Sequence, residues 1–68
     1  MRKATAFEKL GLALLRTGQY AEAESSLLAA LKQPQHDVRI QCLFAMVYKQ
    51  AGRLEDAARA GTQCLNAP

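Results

Sequence analysis

The side chains that could do chemistry are few, and their spacing limits what they can do. His36 is the only histidine. It stands in a polar stretch beside Asp37, soon after Pro34, and a single imidazole with no second ligand or nucleophile in frame reads as a solvated loop residue. Cys42 and Cys64 are 22 positions apart on different expected helices. That is not the short Cys-x-x-Cys spacing of zinc or redox sites, so both read as small buried apolar residues. Glu22 with Glu24, and Glu55 with Asp56, fall in expected first turns, where unpaired amides favour negative charge. They read as helix starts and not as acid–base pairs. The four glycines are isolated, so no loop is built to cradle a phosphate. No catalytic residue, metal site or cofactor is expected.

Composition narrows the remaining classes. The chain has 68 residues, half of them apolar and 6% aromatic, with no Trp. That is too apolar for a disordered segment and small enough that the core must be modest. Two cysteines do not make the dense disulfide framework of small secreted domains, and Met1 to Ala6 leads into no signal-peptide run, so a cytoplasmic setting is expected. The longest apolar stretch, Gly11 to Leu15, is far short of the roughly 20 residues of a membrane span. Nine Lys and Arg against six Asp and Glu give a net charge of +3. The basic residues are scattered and form no stripe, so nucleic acid and anionic lipid are not indicated as partners.

The elements that must position any binding surface are helices, and they repeat. Gly18 and Gly52, Ala23 and Ala57, Leu31 and Leu65, and Pro34 and Pro68 are each 34 positions apart. Similar residues fill the same frame, as in Leu10 with Phe44 and Gly11 with Ala45. Phe7, Leu10 and Leu14 follow the spacing of one helix face, as do Ala23, Leu27, Ala30 and Leu31. Leu10 and Leu14 are therefore expected in the core. Gly18 and Gly52 each follow a helical run, where a left-handed glycine closes the last turn. The expected helices are Ala4 to Thr17, Ala21 to Gln33, Asp37 to Ala51 and Glu55 to Asn66, with Pro34 ending the second and Asp37 capping the third. Short turns make neighbours antiparallel, so the fold class is all-α, two stacked antiparallel helical hairpins with four helices.

With Phe7, Leu10, Gly11, Leu14, Gly18, Tyr20, Ala23, Leu27 and Ala30 in the first unit, the chain resembles the tetratricopeptide repeat family. The second unit matches at Phe44, Ala45, Tyr48, Gly52, Leu54 and Ala57. It departs at Gln41, Gly61 and Cys64, where an aromatic, a large apolar residue and an alanine are usual. The resemblance implies one α-solenoid-like domain over 1–68, with repeat one at 4–37 and repeat two at 38–68. It also implies a concave groove lined by the first helix of each unit: Thr5, Glu8, Leu12, Leu15 and Arg16, then Arg39, Cys42, Met46, Lys49 and Gln50.

The carboxylate clamp of some relatives is not reproduced, because Glu8 and Leu12 stand where Lys and Asn are expected. The expected occupant is instead a protein or peptide partner, above all an amphipathic helix, favoured by Leu12, Leu15 and Met46 with Arg16, Arg39 and Lys49 at the sides. The chain then reads as a non-catalytic adaptor or small chaperone. Two alternatives stay open: a homo-oligomer that buries Leu27, Leu28 and Leu31 or Leu54, Cys64 and Leu65, and a piece of a longer array. A helix-turn-helix DNA reader fails on chemistry, since Glu22, Glu24, Ser25 and Ser26 open the helix that would face bases and phosphate.

Overall fold

A computed structural model describes residues 3–34 and 38–66. Four helices follow one another: α1 Lys3–Arg16, α2 Tyr20–Leu31, α3 Ile40–Gln50 and α4 Leu54–Asn66. There is no strand among the described residues. α1 packs on α2 and α3 on α4, and the two hairpins join through α2 against α3, with α1 also approaching α3. The result is a slab of 31 × 29 × 14 Å. α3 begins three positions later than its pattern predicts. The expected cap Asp37, like His36, lies outside the described residues.

Both turns are built the same way. Gly18 and Gly52 have φ of 78° and 81°, the left-handed region in which a side chain is strained. The Gly18 amide donates to the Leu15 carbonyl at 3.1 Å and the Gln19 amide to Leu14 at 2.9 Å. In the second hairpin Gly52 donates to Lys49 at 3.2 Å and Arg53 to Tyr48 at 2.8 Å. This paired closure is the Schellman motif, which satisfies carbonyls that a helix end leaves open. The structural repeat is thus visible at the level of single hydrogen bonds.

The core is one cluster of Leu15, Ala23, Leu27, Ala30, Ile40, Phe44, Val47 and Ala60. Leu27 enters because Gly11 has no side chain. A Cβ on Gly11 would come within 2.8 Å of the Leu27 Cδ2 atom, so the crossing of α1 and α2 requires glycine at that point. The expectation for Leu10 is corrected here. Leu10 is 50% exposed and Leu14 is only half-buried, whereas Leu15 is buried. α1 is an outer helix, covered on the side of Ala4, Gly11 and Leu15, and Leu10 points to the side where no further helix lies.

α4 buries few of its side chains. Its one buried residue among those described is Ala60, and Leu54 and Leu65 are 69% and 86% exposed. Gly61 sits in its interior with no atom within 4 Å of where a Cβ would be. Glycine there costs helix stability without easing any contact. Gly61→Ala is expected to stabilise the chain by about 1 kcal/mol, raising Tm by roughly 4–8 °C in thermal unfolding.

Candidate partner-binding surface

α1 and α3 lie side by side, and between them is a shallow depression lined by Thr5, Glu8, Lys9 and Leu12 from α1 and by Arg39 and Leu43 from the start of α3. The helical period explains the lining, since Thr5, Glu8, Lys9 and Leu12 fall on one stripe of α1, and Arg39 and Leu43 are one turn apart. Leu12 and Leu43 also pack against the core, so the floor is apolar and fixed from beneath. Lys9 and Arg39 at the rim are exposed.

Four of the expected groove residues, Thr5, Glu8, Leu12 and Arg39, therefore line one feature. Met46 is exposed on the same helix one turn beyond Leu43, and Lys49 and Gln50 are exposed at the end of α3, as Arg16 is at the end of α1. Two expectations change. Leu15 is a core residue at 7% exposure, because the side of α1 that carries Gly11 and Leu15 is the one covered by α2. Cys42 is bonded to Cys64, with Cα atoms 5.0 Å apart, an ordinary separation for a disulfide. The antiparallel hairpin brings these two positions opposite one another, and both are half-buried and bonded where the spacing implied small buried apolar residues.

Lys9 and Leu43 were missed. Their signal was the turn-by-turn spacing from Thr5 and Arg39, which places them beside the depression as directly as Glu8.

A second polar cluster pins the two hairpins together, also unforeseen. Arg53 donates to Glu24 of α2 at 3.2 Å and to Asp56 at 2.8 Å, and Arg59 donates to Asp56 at 3.2 Å. The Arg53 guanidinium also lies 4.7 Å from the centre of the Tyr48 ring, within cation–π range. Burial, and then a hydrogen bond to the Glu24 carboxylate, push the Tyr48 phenol up to about 12. It stays protonated and donates to Glu24. Glu24 thus holds the second hairpin in addition to lying near a helix start. The exposed pairs are individually weak, so their value is in fixing how α2 meets α3.

The architecture is that of a helical-hairpin repeat protein, with the first helices of two hairpins presenting a common face. The family model described as tetratricopeptide repeat matches residues 4–36, the span of the first hairpin. The second hairpin reproduces its fold. No curated protein and no solved structure matches the chain. Repeats of this family generally serve protein–protein interaction. Among the described residues no group of His, Cys, Asp and Glu is arranged to hold a metal ion, and no helix is long and apolar enough to cross a membrane.

Proposed function

We propose that the chain is a non-catalytic interaction module, an adaptor or small chaperone, that takes an amphipathic helix or peptide along α1 and α3. The carrying observation is the depression with an apolar floor of Leu12 and Leu43 and a polar rim of Thr5, Glu8, Lys9 and Arg39. Desolvation of the floor supplies affinity, and the exposed Lys9 favours an acidic edge on the partner. On this reading residues 1–68 form one domain, with repeats at 4–37 and 38–68.

A displayed library of helical peptides, selected on the purified chain, should enrich sequences with an apolar stripe flanked by Asp or Glu. Lys9→Glu with Met46→Asp should lower the affinity of the selected peptides at least about tenfold and leave helical circular dichroism unchanged, because both side chains are exposed. Enrichment of basic or purely polar peptides, or equal affinity in the double variant, would move the site elsewhere.

The disulfide weighs on the cytoplasmic setting expected from composition, since a persistent cystine belongs to oxidising surroundings. Alkylation of free thiols before lysis of the native cells, followed by mass spectrometry, distinguishes the two. A self-associating protein and a segment of a longer array are the competing readings.

A further inference from the structure

The cystine joins opposite ends of two helices. Cys42 is the third residue of α3 and Cys64 the third from the end of α4, so one sulfur lies in a first turn and the other in a last turn. The start of a helix carries partial positive charge and its end partial negative charge. Among the described residues no acid stands in that first turn and no base in that last turn, so neither field is offset locally. Arg39, the cap residue of α3, adds a cation at the Cys42 end. Negative charge is therefore better held on the Cys42 sulfur than on the Cys64 sulfur. Both cysteines are half-buried, so neither is sealed in the core. Beyond Ala60 no described residue of α4 is buried, and Gly61, with open space where a Cβ would be, follows directly. The stretch from Gly61 to Asn66 is thus joined to α3 by the cystine and by no buried side chain.

We propose that Cys42–Cys64 is a thiol-exchange site, opened by a thiolate of the glutathione type at the Cys64 sulfur with Cys42 as the leaving group, and that opening it releases the last turn of α4. The incoming thiolate bonds to Sγ of Cys64. The bond between the two cysteines breaks, and its electron pair leaves on Sγ of Cys42, where the field at the start of α3 stabilises the new thiolate. A second thiolate then attacks the sulfur of the bound thiol, giving the small-molecule disulfide and freeing Cys64. Two thiols are oxidised to one disulfide, the cystine takes up the two electrons, and the two protons pass through solvent to the cysteines. Glutathione disulfide runs the same steps in reverse and closes the bond again. The site is independent of the peptide groove between α1 and α3, since it is read as a covalent adduct.

The chain closed with glutathione disulfide, exposed briefly to reduced glutathione and quenched with N-ethylmaleimide, gives two isomeric adducts that peptide mass spectrometry separates. Glutathione on Cys64 with the maleimide on Cys42 should exceed the reverse by at least about threefold, and the excess should vanish in concentrated urea, where both helix ends are lost. By hydrogen exchange, amides from Thr62 to Asn66 should exchange at least about threefold faster in the adduct than in the cystine form, while those of α2 are unchanged. Equal amounts of the two adducts, an excess of the reverse one, or the same excess in urea overturns Cys42 as the leaving group. Unchanged exchange from Thr62 to Asn66 overturns the release of the last turn. Failure of the chain to close a cystine with glutathione disulfide overturns the site itself.

Discussion

Leu27→Ala should destabilise the chain by about 2–5 kcal/mol, against a total stability of roughly 3–10 kcal/mol for a domain of this length. Leu27 is 1% exposed, and its tip fills the notch left by Gly11. Truncation therefore loses both the transfer free energy and the contacts lining the void, and a helix crossing held at van der Waals distance has little room to collapse. Tm should fall by at least about 10 °C. The informative control is Leu10→Ala, which removes the same atoms from a half-exposed position and should cost less than about 1 kcal/mol. If Leu10→Ala proved the more damaging of the two, α1 would be rotated from the orientation described, and Leu10 would belong to the core as its spacing first implied.

That contrast shows what a sequence can and cannot carry. The four helices, the glycine turns and the need for a small residue at Gly11 all follow from local signals, because backbone conformation and close crossing depend on residue type at a known spacing. Burial is a different quantity, since it depends on what stands beside a helix. Phe44 and Leu10 occupy the same place in the repeat, yet Phe44 is buried under α2 and Leu10 has no helix on its outer side. A repeat frame describes an interior unit and misassigns the exposed side of an end unit. Leu15 moved from groove to core for the same reason, because two apolar sides of α1 were evident and only the fold tells which one α2 covers.

The candidate groove was partly legible. Its stripe on α1 and α3 follows from helix period, whereas the link from Glu24 to Arg53, 29 residues apart, joins two units whose relative placement no local pattern encodes. The cystine was hidden in the same way. A separation of 22 residues becomes a contact only when α3 and α4 run antiparallel with a tight turn at Gly52.

Reduction of that cystine should be the other large effect. Closing a loop of this length restricts the unfolded chain by about 3 kcal/mol, and α4 has one buried residue among those described, Ala60. The loss should therefore be local before it is global. In the presence of a dithiol reductant, or in the Cys42→Ser, Cys64→Ser variant, amide hydrogens of α4 should exchange faster, while those of α1 and α2 stay protected up to the global unfolding free energy. Thermal unfolding should begin at lower temperature, by more than 10 °C on the scale of about 4–8 °C per kcal/mol. Gly61→Ala should recover part of this loss, because it strengthens the same helix by an independent route. Partner binding should weaken too, since Cys42 adjoins Leu43, which forms part of the floor between α1 and α3. Equal melting and equal exchange with and without reductant would mean that packing alone holds α4, and that the cystine adds nothing to the second hairpin.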